Sequence, residues 1–318
     1  MKNVLVIMPW MNDTYRQMLE EAAPGCALTY RMPKEAREED VARADIILGN
    51  VPPSLLREKK LELMQLTSAG ADAYVAPGLL DRSTPLCCCT GAYSQSVAEH
   101  ALAMTLMLQK DLHKYRDAQA RHEWIDGGRT YSMSDAVVVV VGLGDIGRYY
   151  ARQAKALGAY VIGVKRRASD KPDFVDELVT TDAVDGVLGR GDVIAAFLPG
   201  TDKTYHFFSD ERFALMKPSA VFINCGRGTA VSAEALELAL REGKIRSAGV
   251  DVFETEPLSA DSSLWELEDL SITPHASGFF HLPVTLERVM DICVTNLRAC
   301  LSGGELRNIV DYGTGYKK

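Results

Sequence analysis

No segment of this 318-residue chain stays apolar for the roughly 20 residues that a membrane-spanning helix needs. The first apolar run, "VLVIM", is too short for a secretory leader and passes at once into a polar turn. Basic residues are not in excess. The 35 Lys and Arg against 43 Asp and Glu leave a formal net charge of −8, and no long basic stretch offers a footprint for nucleic acid. None of the seven cysteines, Cys26, Cys87, Cys88, Cys89, Cys225, Cys293 and Cys300, belongs to a CxxC pair. Cys87, Cys88 and Cys89 are consecutive in a strand-like run, "PLCCCTG". Neighbours on a strand point to opposite faces, so they cannot jointly hold zinc, and no metal site is expected. Small buried thiols in a reducing compartment fit better. There is no internal repeat and no low-complexity tract. These absences exclude a membrane span, a disulfide scaffold and a nucleic-acid partner. They point to a cytoplasmic globular protein with room for one large domain or two medium ones.

What is present is an alternation of strand and helix from end to end, as parallel α/β sheets require. Buried strands are expected at Asn3–Met8, Asp45–Gly49, Leu63–Thr67 and Leu86–Thr90. A long amphipathic helix is expected over Ser94–Ala118, capped by Ser94 or Ser96. A loop carrying Trp124 and "DGGRTYSM" follows, and a new unit opens at "AVVVVVG" (Ala136–Gly142). Further strands are expected at "AYVIGV", "DVIAAF", "AVFINC", "SAGVDV" and "LSITP". Between them "SAEALELALREG" reads as a helix with Ser232 capping and Gly243 terminating. A last helix, about Pro283–Leu301, precedes a short tail.

The stretch "VVVVVGLGDIGRYYARQAKALGAYVIGVKRR" carries the first chemistry. Gly142, Gly144 and Gly147 form GxGxxG directly after an all-β-branched strand. The first allows a tight turn, the second lets the backbone approach a pyrophosphate, and the third lets the helix pack on the strand with its amides aimed at the phosphates. The residue missing here is an acid. An Asp or Glu that accepts from the adenine ribose belongs about 20 residues past such a loop, and the chain offers Lys165, Arg166 and Arg167 there. A carboxylate would repel a 2′-phosphate, whereas three cations can donate to one. A hydrogen bond to a charged group contributes roughly 1.5–3 kcal/mol, so one or two shift preference about 10- to 1,000-fold toward NADP. NADP(H) is therefore expected as the preferred cofactor, with NAD(H) possible. The competing reading is a solvated basic turn.

Three later strand ends bring reactive groups: Arg227 in "VFINCGRGTAV", Asp251 and Glu256 in "AGVDVFETEPL", and His275 in "LSITPHASG". Residues beyond the carboxyl ends of parallel strands converge on one crevice. A guanidinium can grip the carboxylate of a 2-keto acid. A His beside a carboxylate can deliver a proton. Taken singly, each has an ordinary alternative: a turn arginine, a turn-capping glutamate and a satisfied core histidine.

In sequence and in order, "LTSAGAD", "SVAEHALA", "VGLGDIG", "NCGRG", "DVFETEPL", "TPHASG" and "LRNIVDYGTGY" resemble the D-isomer-specific 2-hydroxyacid dehydrogenases, over nearly the whole chain. The resemblance implies an α/β architecture with a Rossmann-like dinucleotide-binding domain (97–284) inserted in a discontinuous flavodoxin-like substrate domain (1–96 and 285–318), both with parallel sheets. It implies a homodimer through the cofactor domain. It makes Arg227 the substrate-binding arginine, Glu256 the partner of His275, and His275 the acid/base. It places Asp251 against the nicotinamide carboxamide, and Asp145, Ile146, Pro199 and Cys225 along the cofactor. Backbone groups at Ser68, Ala69 and Gly70 should hold the substrate carboxylate, with the small 2-keto or 2-hydroxy acid lying between closing domains. The basic residue at position 165 departs from the family's usual acid and resembles its NADPH-preferring glyoxylate and hydroxypyruvate reductases. The family's Leu-x-Gly-Lys lead-in is also absent from "YSMSDAVVVV". Two rival readings remain: a phosphoglycerate-type dehydrogenase, and a nucleotide-sensing regulatory protein on the same fold. Trp10, Met11, Val51, Pro52 and Trp124 lie on loops that could shape a pocket or simply pack.

Overall fold

The computed structural model describes residues 1–317. The chain divides into two units, one formed by Met1–Tyr93 together with the segment from Phe280 onward, the other by Ser94–Phe279. The crossings thus fall slightly before residues 97 and 285. The first coincides with the start of a helix. At the second, the Phe280 ring lies 5.3 Å from Trp10 and 6.0 Å from Tyr93, which ties it to the first unit.

The first unit runs β1 (Asn3–Ile7), α1 (Asp13–Ala22), β2 (Ala27–Arg31), α2 (Glu38–Arg43), β3 (Ile46–Gly49), β4 (Leu63–Gln65) and β5 (Leu86–Cys87). Asn12 caps α1 by accepting from the Tyr15 amide at 2.8 Å. The strands pair in parallel in the order β2-β1-β3-β4-β5. Val4–Ile7 and Ile46–Leu48 are almost wholly buried, the continuous apolar run expected of central parallel strands. The edge strand β2 was not legible in the sequence. Its residues are only half-buried, so no buried run marks it.

The second unit contains α3 (Ser94–Gln109), α4 (Leu112–Ala120), β6 (Val137–Val141), α5 (Asp145–Ala156), β7 (Tyr160–Lys165), β8 (Glu177–Thr180), α6 (Asp185–Leu188), β9 (Val193–Ala196), α7 (Asp210–Ala214), β10 (Val221–Asn224), α8 (Ala233–Arg241), β11 (Ser247–Val250) and β12 (Leu270–Ile272). The sheet is parallel, in the order β12-β11-β10-β9-β6-β7-β8. Its two halves diverge from β6, so the crevice beyond the carboxyl ends of β6 and β9 is the topological switch point at which such sheets bind ligands. The chain then returns to the first unit through α9 (Pro283–Ser302) and a short antiparallel pair, β13 (Val310–Asp311) and β14 (Tyr316–Lys317).

Three expectations need correction. The single helix over Ser94–Ala118 is two helices. Arg246 donates to the Leu108 carbonyl and, at 3.2 Å, to both oxygens of Asp111, whose φ of 52° is left-handed. The arginine thus takes a carbonyl at the end of α3 and holds the break. Ser96 is not a cap: it lies in the first turn and donates to the Ser277 carbonyl at 2.7 Å. The strand at "LCCCT" ends at Cys87, although Cys87, Cys88 and Cys89 are all buried. The helix at Ser232 behaves as expected, with Ser232 Oγ accepting from the Ala235 amide at 3.2 Å and Gly243 left-handed beyond its end.

Candidate active site

The carboxyl ends of β6, β9, β10 and β11 lie side by side, and three glycines make the fit possible. A Cβ on Gly142 would come within 2.7 Å of the Phe197 carbonyl oxygen, and Gly142 has φ near 100°. A Cβ on Gly226 would meet the Leu198 backbone at 2.7 Å, and one on Gly228 the Phe253 backbone at 1.9 Å. Any side chain there forces the strand ends apart. Gly147 packs so closely that its Cβ would sit 2.2 Å from the Gly142 carbonyl oxygen.

Gly144 caps α5 in an extended conformation, and the Arg148 amide bonds back to its carbonyl at 2.9 Å. The amides of Asp145, Ile146 and Gly147 precede that first intrahelical bond and point out of the helix end, the arrangement that receives a phosphate. This cradle fits a dinucleotide pyrophosphate. Pro199 and Cys225 follow β9 and β10 within the same row. Burial pushes the Cys225 thiol up, and Asp251 adds to the shift, so it acts as an uncharged wall.

At the end of β7, Lys165 donates to Ser169 Oγ at 3.0 Å. Arg166 and Arg167 are exposed and make no ion pair or hydrogen bond among the described residues.

His275 and Glu256 meet directly: Nδ1 lies 2.7 Å from Oε2. A carboxylate only accepts, so Nδ1 carries a proton, and Nε2 is the nitrogen that can reach a substrate oxygen. Glu256 is itself held, its Oε1 accepting from the Phe253 amide at 2.9 Å. Arg227 follows β10; its Nη1 donates to the Gly226 carbonyl at 3.0 Å. The backbone of His275 is left-handed, φ 52°, with its amide bonded to the Asp251 carbonyl at 2.8 Å.

Asp251 is fully buried, and its carboxylate is used within the chain. It accepts from Thr273 Oγ1 at 2.5 Å, from the Ala276 amide at 2.8 Å, and from the amide and hydroxyl of Ser277 at 3.2 and 2.5 Å. His100 Nε2 lies 3.0 Å from Thr273 Oγ1. Asp251 therefore fixes the loop that carries His275. The family resemblance implies only a carboxamide contact for Asp251, and this role in the loop goes beyond it. The usable signal was its spacing to the Thr and Ser flanking "PHA".

In the first unit, Ser68, Ala69 and Gly70 follow β4. Asn50, which no motif singled out, organises them: its side chain accepts from the Thr67 amide and hydroxyl at 2.9 Å and donates to Ser68 Oγ at 3.0 Å. Ser68 Oγ bonds the Gly70 carbonyl at 2.7 Å. The Ala69 and Gly70 amides enter no hydrogen bond among the described residues. Such unclaimed donors suit a carboxylate. Of the loop residues suspected of shaping a pocket, Trp10 packs edge-on against Tyr15 at 5.8 Å, Val51 is buried with its carbonyl bonded by Tyr74, and Trp124 is wholly exposed. Among the described residues no cluster of His, Cys, Asp or Glu is arranged to hold a metal, and no helix is long and apolar enough to cross a membrane.

Comparison with known proteins agrees with this arrangement. A family model described as "D-isomer specific 2-hydroxyacid dehydrogenase, NAD binding domain" matches residues 102–277. The chain is 30% identical over 322 aligned positions to glyoxylate/hydroxypyruvate reductase B of Escherichia fergusonii, covering 98% of each. Among solved structures, it is similar to an NADPH-dependent glyoxylate/hydroxypyruvate reductase from Sinorhizobium meliloti in complex with NADP and sulfate, with a TM-score of 0.83, 25% identity, and 99% and 100% of the two chains covered. It is also similar to a D-lactate dehydrogenase from Aquifex aeolicus complexed with NAD and lactic acid, with a TM-score of 0.77, 25% identity, and 95% and 96% covered.

Proposed function

Since the chain belongs to the D-isomer specific 2-hydroxyacid dehydrogenase family of NAD(P)-dependent oxidoreductases, we propose that it reduces a small 2-keto acid of the glyoxylate or hydroxypyruvate type to the D-2-hydroxy acid, with NADPH preferred over NADH. The observation that carries the reading is the 2.7 Å His275–Glu256 pair, on strand ends of the same sheet edge that bears Arg227 and the glycine loop. The bound nicotinamide supplies the hydride to C2.

The chain's own residues do the rest. Gly142, Gly144, Asp145, Ile146 and Gly147 hold the pyrophosphate through backbone amides, and Pro199, Cys225 and the Asp251 loop line the nicotinamide side. Arg227 holds the substrate carboxylate and polarises the carbonyl. His275, as the imidazolium with a proton on each ring nitrogen, delivers the Nε2 proton to the carbonyl oxygen and is left as the neutral Nδ1–H ring that Glu256 holds. Lys165, Arg166 and Arg167 receive the 2′-phosphate. The uncompensated charge at Arg166 and Arg167 supports this assignment, because a dianion would supply the missing partner. The Sinorhizobium meliloti enzyme, an NADPH-dependent reductase, supports the same preference.

The protein is proposed to act in the cytoplasm, where its seven unpaired cysteines suit a reducing compartment, and as a homodimer. A wholly exposed Trp124 beside a 40% exposed Ile125 supports the second copy, since such a pair gains by being covered.

The test is the loss of absorbance at 340 nm with hydroxypyruvate, run in parallel with NADPH and NADH. A preference for NADPH of about tenfold or more is expected. Turnover with NADH alone would remove the 2′-phosphate role of the basic turn. Failure with either cofactor on hydroxypyruvate, glyoxylate and bulkier keto acids would overturn the reductase reading.

A further inference from the structure

The turn that carries Glu256 also carries Glu254, and Glu254 has its own histidine. His206 Nε2 meets Glu254 Oε1. The second oxygen of Glu254 accepts from the Ala233 amide at 3.2 Å, at the start of α8. We propose that His206 and Glu254 are positioning residues that fix the spacing between Arg227 and the His275–Glu256 pair.

The placement of His206 argues for this. It lies on the loop that follows β9, and its backbone is left-handed, with φ 45°. A residue with a Cβ rarely takes that conformation without something to hold it there. Three contacts hold it. Its amide donates to the Thr229 carbonyl at 2.8 Å, the Tyr205 ring stacks on its imidazole at 4.0 Å, and its Nε2 donates a hydrogen bond to Glu254. Thr229 lies two residues beyond Arg227, and Glu254 two residues before Glu256.

His206 thus joins three segments: it lies on the loop after β9, its backbone amide bonds the turn of Arg227, and its imidazole bonds the turn of Glu256. The same loops touch elsewhere. A Cβ on Gly200 would lie 3.4 Å from Arg227 Cγ, and one on Gly228 would overlap the Phe253 backbone. In a reductase, the carboxylate grip and the proton donor must meet one small molecule at two atoms. Their separation therefore controls both capture and turnover.

Magnitude separates this role from a merely structural one. The His206 and Glu254 side chains are 36% and 28% exposed, and pairs so placed contribute little to stability. A structural tie predicts small effects everywhere, whereas a positioning pair predicts a kinetic loss out of proportion to stability.

The inference rests on the reductase reading above, and the experiment keeps the two apart. His206→Leu, Glu254→Ala and the double variant are assayed in the full chain with NADPH and hydroxypyruvate. Their kcat/KM is expected to fall about 10- to 100-fold, mostly through KM for the keto acid. The double variant should be no worse than either single, because one link is lost in each. NADPH affinity should stay within about twofold and Tm within about 3 °C. His206→Gln should recover most of the loss, because its amide can donate where Nε2 does.

A second readout does not need turnover: the His275 imidazole resonances should move in His206→Leu. A folded His206→Leu with wild-type kcat/KM and unmoved His275 resonances overturns the inference. So do losses that multiply in the double variant. If wild-type protein turns over no keto acid, the reductase reading falls, and the His275 resonances alone then decide whether the tie positions that loop.

Discussion

Two turns at the carboxyl end of one sheet treat their charges in opposite ways. In the turn after β11, Asp251, Glu254 and Glu256 all have partners within the chain, down to both oxygens of the buried Asp251. In the turn after β7, Arg166 and Arg167 have none among the described residues, and Lys165 has only the Ser169 hydroxyl. The roles proposed for the two turns account for the difference. A proton donor has to stand in place before the substrate arrives, so the chain supplies every bond that orients it. A group that receives a phosphate dianion gains nothing from a carboxylate of its own, which would compete with the ligand.

The contrast can be broken at several points. The largest effect is expected at His275, which the ordered turn holds through Glu256 and the Asp251 carbonyl. His275→Ala should lower kcat about 10²- to 10⁴-fold while leaving NADPH binding nearly intact by fluorescence titration. A variant that keeps more than a few per cent of wild-type activity would remove His275 from the proton step. The unpaired turn should respond in cofactor choice instead. Lys165→Asp with Arg166→Ala should move the NADPH to NADH ratio of kcat/KM about 10- to 1,000-fold toward NADH, without loss of Tm. An unchanged ratio would make the turn merely solvated.

Next comes Asp251→Ala. It leaves two backbone amides and two hydroxyls without their acceptor and should cost about 3 kcal/mol, read as a Tm drop of roughly 5–10 °C. Activity should fall with it, because His275 loses its loop anchor. A stable and active Asp251→Ala would mean that the loop holds itself.

The smallest effect serves as a control at the opposite ends of the same strands. Burial raises Asp176, but Lys155 at 2.7 Å and the Val161 amide at 2.8 Å outweigh it and hold the carboxyl below its usual value. A depressed carboxyl stabilises the fold above its unfolded pKa, near 3.9. That stability is lost as the pH falls through the lower folded value. Asp176→Asn should therefore cost no more than about 1 kcal/mol at pH 7, with the cost vanishing in strong acid and kcat unchanged. The urea midpoint at pH 7 and pH 3 reads it.

Much of this arrangement was legible in the sequence. The all-valine run before Gly142 and the glycine spacing after it place a phosphate loop, and the structure puts Gly142 at φ near 100°, against Phe197. Arg227, Glu256 and His275 were each readable as strand-end residues, and the resemblance gave them roles. What escaped was of another kind. Strands β2 and β8 lie at sheet edges and are half-buried, so they carry no buried run. Asn50, His100, Thr273 and His206 are ordinary polar residues whose partners lie far along the chain.

The sequence by itself determined the α/β class, the glycine loop, the basic turn after β7, and which side chains are candidates for the reaction. These depend on composition and spacing within one strand–turn–helix unit, where period and glycine geometry act locally. Only the tertiary structure decided which strands are neighbours, and hence that the Arg227 turn touches Phe253 and that Asp251 holds the His275 loop. It alone split the long helix at Asp111, by bringing Arg246 to the Leu108 carbonyl. Each of these depends on a hydrogen bond or a close approach between residues distant in sequence, and such partners exist only once the sheet has been assembled.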